Sequence, residues 1–174
     1  VTVLILLNGI PASGKSTLAR AWCERHGADL PLALDLDLIR SMLGGWRESF
    51  GEAGVAARRM ALAAIREHLA AGHDVVVPQY LRRPEFIDSL ASVAAETGAG
   101  FIECAMRIDP AVADARFAQR AAATASDPHG ELVDTIASIA AEFEAFLRTR
   151  PRAVRIDAGQ SALDDLDAVI ASRR

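Results

Sequence analysis

The stretch "VTVLILLNGIPASGKST", residues 1–17, decides the fold. From Val3 to Leu7 the residues are apolar without interruption. A run of that length with no polar alternation predicts a strand buried on both faces, as in the middle of a parallel sheet. The run closes on a glycine turn, and from Gly9 to Ser16 the residues follow the pattern G-x-x-x-x-G-K-[ST]. Position gives this pattern its meaning, because a buried strand precedes it and a helix opening at Lys15 follows. The backbone N–H groups of Ala12, Ser13, Gly14, Lys15 and Ser16 can converge on phosphate oxygens there, helped by the positive end of the helix. Lys15 is expected between the β- and γ-phosphates, the Ser16 hydroxyl on Mg²⁺, and Gly9 and Thr17 at the two ends of the nucleotide-binding loop.

Composition strengthens that reading. The 174 residues include 18 arginines and a single lysine, which is Lys15. A planar guanidinium cannot replace a compact ammonium at this point of the loop. A chain nearly devoid of lysine that keeps one here is unlike a chance match. The same scarcity excludes a guanine-reading N-K-x-D motif, so a GTP-dependent switch is rejected even though D-x-x-G occurs at residues 127–130. ATP is the expected nucleotide.

Outward from the loop, strands and helices alternate. Strands are expected at 30–35, around "HDVVVPQY", around "AGFIECAMRI" and at "RAVRID". Helices are expected at 15–26, 36–43, 52–71, 110–124, 128–148 and 162–172, with another opened by Pro84. Ala56, Met60, Ala63 and Leu69 are assigned to the buried face of the long helix. The expected fold is α/β: a P-loop NTPase, one domain over residues 1–174, with a five-stranded parallel sheet covered by helices on both faces. The polar stretch "AATASDPHGE" (122–131) is expected to be a mobile loop; its His129 and Glu131 could reach an acceptor, but a lone loop histidine is ordinarily a surface residue and is not counted in the site.

A net charge of −4 and pI near 5.6 argue against a protein that coats nucleic acid. Cys23 and Cys104 have no metal-like spacing and are expected as reduced thiols. No apolar run is long enough to cross a membrane and no leader pattern precedes Val3, so a cytoplasmic monomer or homodimer is expected.

Three stretches, "NGIPASGKSTLA", "DLDLIR" and "ARFAQR", together resemble the small P-loop kinases. The similarity is greatest to the polynucleotide-kinase-like and zeta-toxin-like group, which includes chloramphenicol phosphotransferase. The resemblance implies a general base just after the second strand and, three residues on, an arginine that helps hold the acceptor: Asp37 and Arg40. It also implies a lid beyond the fourth strand, carried by Arg116 and Arg120. Where such kinases often end the third strand with an Asp near the metal, this chain has Pro78-Gln79, leaving Mg²⁺ to Ser16 and Asp35.

The residues agree with that assignment on their own terms. A hydroxyl attacking a γ-phosphate needs a carboxylate within hydrogen-bond reach, at the carboxyl ends of the strands. Asp35 and Asp37 both fall there, and each can alternatively serve as a helix N-cap. Arg116 and Arg120, four apart, share one helical face. Acceptor recognition is expected from residues 40–59 and 79–86. Arg40, Trp46, Arg47 and Phe50 come from the first segment, Gln79, Tyr80 and Arg83 from the second, and Arg58, Arg59 and Arg82 add anion-binding capacity. The expected activity is Mg-ATP-dependent transfer to a hydroxyl of a small molecule such as a metabolite, nucleoside-like compound or antibiotic. The alternatives are a nucleic-acid 5′-hydroxyl or nucleotide-sugar kinase, and a non-catalytic ATP-binding module.

Overall fold

A computed structural model describes residues 1–123 and 134–173. Its centre is the apolar run: β1 (Val3–Asn8) is buried along its whole length. On either side of it run β3 (Val75–Gln79) and β4 (Gly100–Arg107), both parallel. The edges are β2 (Leu32–Ala33) and β5 (Val154–Asp157), giving the order β2-β3-β1-β4-β5. Parallel neighbours require crossovers, and the helices supply them.

Successive β1 side chains feed opposite cores, as a period of two demands. Leu4 and Leu6 enter the core built with α3 (Phe50–Ala70) and α4 (Pro84–Glu96). Val3, Ile5 and Leu7 pack with Trp22 of α1 (Lys15–Arg25) and Leu166 of α7 (Ala162–Ala171). A third cluster joins Ala113 of α5 (Pro110–Ala123) to Phe143 of α6 (Ile136–Leu147) and to Ile10 of the phosphate loop. Trp22 is also tied by its ring N–H to Asp167 on α7 at 2.8 Å, so both helices of that layer are fixed to each other.

The expected α/β architecture is therefore the observed one, with local differences. The second strand shrinks to two residues because Leu30 adopts a left-handed φ of 52° before it and Asp35 already caps α2 (Leu36–Ser41) after it. The buried face of α3 is Ala53, Ala57, Ala61, Ile65 and Leu69. Of the expected set only Leu69 belongs to it; Met60 and Ala63 are exposed and Ala56 is half-buried. An exact step of four residues leading to Ile65 and Leu69 sets this face. The D-x-x-G at 127–130, His129, Glu131 and most of the expected loop at 122–131 lie outside the described residues, as does the start of the helix expected from 128. Cys104 is buried and Cys23 partly so; burial raises their thiols to about 12 and about 11, which leaves them protonated at neutral pH. Among the described residues no helix is long and apolar enough to cross a membrane.

Candidate active site

The site forms where β1, β2, β3 and β4 end. Gly9 leaves β1 in a position that admits no side chain: a Cβ there would lie 2.9 Å from Ser13 Oγ and 3.1 Å from Met106 Cβ. Ala12 and Gly14 take left-handed φ values of 59° and 91°, which turns successive N–H groups inward and makes a concave nest for an anion. Ser13 is fully buried beneath the loop. Lys15 and Ser16 then open α1, whose first turn carries no acidic residue. An acid there would repel phosphate.

Lys15 is folded back on this loop. Its Nζ donates to the Ile10 carbonyl at 2.7 Å and lies 3.4 Å from Ser13 Oγ. Burial lowers its pKa from 10.5 to about 8; Asp37 and Asp35 oppose the fall and Arg120 adds to it. The ammonium thus occupies an under-solvated position that phosphate oxygens would relieve.

Asp35 serves two partners. One carboxylate oxygen accepts the Asp37 N–H at 3.0 Å and caps α2; the other accepts the Ser16 hydroxyl at 2.9 Å. The capping alternative and the metal-side alternative thus coexist in one side chain. A hydroxyl and a carboxylate this close supply hard oxygen donors that suit Mg²⁺, which keeps water and phosphate in its shell. Among the described residues no three His, Cys, Asp or Glu side chains gather into a cage, so a metal here would be shared between this pair, phosphate and water.

Asp37 lines the cleft at this end of the sheet, in the first turn of α2, and pairs with Arg40 at 2.9 Å. The Arg40 guanidinium in turn lies over the Phe50 ring at 4.2 Å and near the Trp46 ring at 5.5 Å. Trp46 is itself buried, and the exposed Arg47 stacks on its outer face at 4.3 Å. Neither Trp46 nor Arg47 lines the cleft, so these two do not join the site as expected; the Trp46 ring lies beside Arg40, and Arg47 stacks on Trp46. Phe50, by contrast, is half-exposed and does line it.

The cleft encloses about 490 Å³. Besides Asp37 it is lined by Arg116 and Arg120 of α5 and by Gln79 and Tyr80 from the end of β3. Gln79 Oε1 and Tyr80 Oη are shielded from solvent and meet no hydrogen-bond partner among the described residues. Arg20 and Phe117 also line this space, and neither was singled out from sequence. Beside it lies a groove of about 770 Å³ between α3 and α4, sharing Phe50 and Tyr80 with the cleft and carrying Arg83.

Asn8 is the structural residue that sequence reading passed over. It is fully buried, donates to the Leu81 carbonyl at 2.9 Å and accepts the Leu81 N–H at 2.8 Å. These bonds clamp the segment after β3 to the residue just before the phosphate loop. The signal was present: a lone amide at the end of an apolar strand must find backbone partners when buried.

Comparison with known proteins bears on the fold and family. A structure described as a putative kinase from Chloroflexus aurantiacus aligns with a TM-score of 0.72 at 22% identity, covering 99% of this chain and 98% of that one. A gluconokinase from Sinorhizobium meliloti gives 0.62 at 20% identity over 98% and 92%. The APS kinase of Mycobacterium tuberculosis, determined with AMPPNP and APS, gives 0.61 at 19% identity over 98% and 96%. At these identities the likeness establishes a shared kinase-like P-loop fold. No curated protein matches the chain. The family model described as AAA domain matches residues 4–146, a span that holds the phosphate loop, both aspartates and both α5 arginines, and the chain belongs to that AAA-domain family.

Proposed function

We propose that the chain is a Mg-ATP-dependent phosphotransferase that moves the γ-phosphate to a hydroxyl of a small molecule. One observation carries this reading: the loop lysine and an aspartate outside the loop, Lys15 and Asp37, face a single cleft that continues into a second groove. A module that only bound ATP would need the first and neither of the others.

In this reading the β- and γ-phosphates occupy the nest from Gly9 to Thr17, and Lys15 moves from the Ile10 carbonyl onto them. Mg²⁺ held by Ser16 and Asp35 would neutralise phosphate charge. Asp37 accepts the proton of the acceptor hydroxyl as the new oxygen–phosphorus bond forms and the bond to the β-phosphate oxygen breaks, releasing ADP. Arg40 orients the Asp37 carboxylate. Arg116 and Arg120 balance charge on the transferring group, the role of a lid closing over nucleotide. The D-x-x-R spacing at Asp37 and Arg40, with "ARFAQR" on α5, supports a place in the polynucleotide-kinase-like and zeta-toxin-like group.

The test is transfer of label from γ-labelled ATP to pooled hydroxyl metabolites, nucleosides, antibiotics and a 5′-hydroxyl oligonucleotide. Transfer to a small molecule by the wild type, lost in Lys15→Ala, is expected. Undiminished transfer by Lys15→Ala, or labelling of the oligonucleotide alone, would overturn it.

A further inference from the structure

The groove beside the phosphate cleft has a chemistry of its own. Its floor is apolar: Leu62, Leu81 and Phe86, flanked by Val55 and Phe50, which are 54% and 49% exposed. Its rim is basic. Arg58 and Arg59 rise from α3, and Arg82 and Arg83 from the turn that opens α4. Arg82 is neutralised by Glu142 on α6. Arg58, Arg59 and Arg83 make no ion pair among the described residues, and Arg58 rests over Phe86 at 6.0 Å. Against these three charges the groove lining offers one carboxylate, Glu85. A local surplus of positive charge thus sits on a chain whose net charge is −4.

Guanidiniums without an ion pair among the described residues, set around an apolar floor, are complementary to an anion carried on an apolar body. The body covers Val55 and Phe50, and the guanidinium fork meets carboxylate, phosphate or sulfonate oxygens two at a time. A volume of about 770 Å³ falls in the range of small-molecule pockets. Tyr80 lines both the groove and the cleft, so the two spaces share one wall.

We propose that this groove binds a small organic anion with an apolar body, and that the hydroxyl acceptor belongs to that class. The second clause rests on the phosphotransferase reading; the first does not. Both are tested on the full chain saturated with Mg-AMPPNP. The probes are 1-anilinonaphthalene-8-sulfonate and its uncharged counterpart N-phenyl-1-naphthylamine, followed by fluorescence. Loss of charge-assisted contacts in Arg58→Ala/Arg83→Ala should weaken the sulfonate probe about tenfold or more and leave the neutral probe within about threefold of wild type, less than one such contact is worth. Arg58→Lys/Arg83→Lys should restore part of the difference. Phenylacetate or phenyl phosphate should displace the sulfonate probe, and the two arms separate carboxylate from phosphate recognition, whereas benzyl alcohol should not displace it.

Equal weakening of both probes, or none, overturns the anion groove. So does displacement by benzyl alcohol as effective as by either anion. A 5′-hydroxyl oligonucleotide that displaces the probe at lower concentration than both small anions overturns the small-molecule class. The two readings fail separately. Anion binding without phosphoryl transfer to any acceptor leaves the groove standing and removes the kinase; transfer to neutral alcohols, with KM indifferent to Arg58 and Arg83, does the reverse.

Discussion

Replacing Lys15 by Met should make the nucleotide-free protein more stable while destroying its purpose. A fall from 10.5 to about 8 means that holding the ammonium charged costs the empty fold about 3 kcal/mol relative to the unfolded chain. Met has similar length and no charge to desolvate. The substitution forfeits the 2.7 Å bond to the Ile10 carbonyl, but that carbonyl keeps the Ser13 N–H at 3.3 Å. Allowing about 1.5–3 kcal/mol for the lost charged hydrogen bond leaves a net gain of at most about 1.5 kcal/mol. For a chain of this length that corresponds to a melting temperature higher by up to about 6 °C. The pH dependence has a definite sign. Between about 8 and 10.5 the unfolded wild type binds more protons than the folded one, so wild-type stability rises through that window. The advantage of Lys15→Met should accordingly be full below pH 8 and shrink toward pH 10. Adding Mg-AMPPNP should reverse the order, because only the wild type gains binding free energy. Calorimetric melting of both proteins at pH 7 and pH 9.5, with and without nucleotide, checks all three points. A nucleotide-free Lys15→Met that melts below wild type at pH 7, or a gap that does not narrow by pH 9.5, would refute the reasoning.

Asp37→Asn should lower turnover by about 10²–10⁴ as the proton acceptor is lost, with nucleotide affinity by calorimetry little changed; near-normal turnover removes it as the base. Asp35→Asn should raise the Mg²⁺ concentration needed for half-maximal rate, because the charged partner of Ser16 is gone, and a magnesium titration unaltered from wild type counts against the metal-side role. Arg116→Ala and Arg120→Ala should each reduce kcat more than they raise the KM for ATP if these side chains act on the transferring group. A nucleotide-bound structure that leaves both in open solvent would dispose of the lid.

Much of this was legible in residues 1–17. The apolar run and the glycine pattern are local signals with local causes, and they led directly to a central strand, a nest and a helix. Asp35 and Asp37 were placed correctly at a strand end because a short strand followed by a capped helix is also local. The phase of α3 was not readable in the same way. Alanine has little polarity contrast, so Ala53, Ala57 and Ala61 look like Ala56 and Ala63 until Ile65 and Leu69 are given the deciding weight. Trp46 illustrates a second limit: sequence offers an aromatic ring but not the direction it faces, and here it faces inward beside Arg40. The groove arginines depend on α3 and α4 lying side by side, which no short-range pattern reveals.

The Asn8–Leu81 clamp has a consequence for how such a protein diversifies. It ties the phosphate loop to the groove between α3 and α4 through one buried amide and two backbone atoms, so the spacing between those stations does not depend on the side chains that line the groove. Arg58 and Arg59 on the outer face of α3, and Arg83 at the head of α4, can then be exchanged without altering that spacing. The layout separates a fixed engine from an interchangeable mouth. A library randomised at residues 55, 58, 59, 83 and 89, with Asn8 held constant, is the economical place to look for new acceptors.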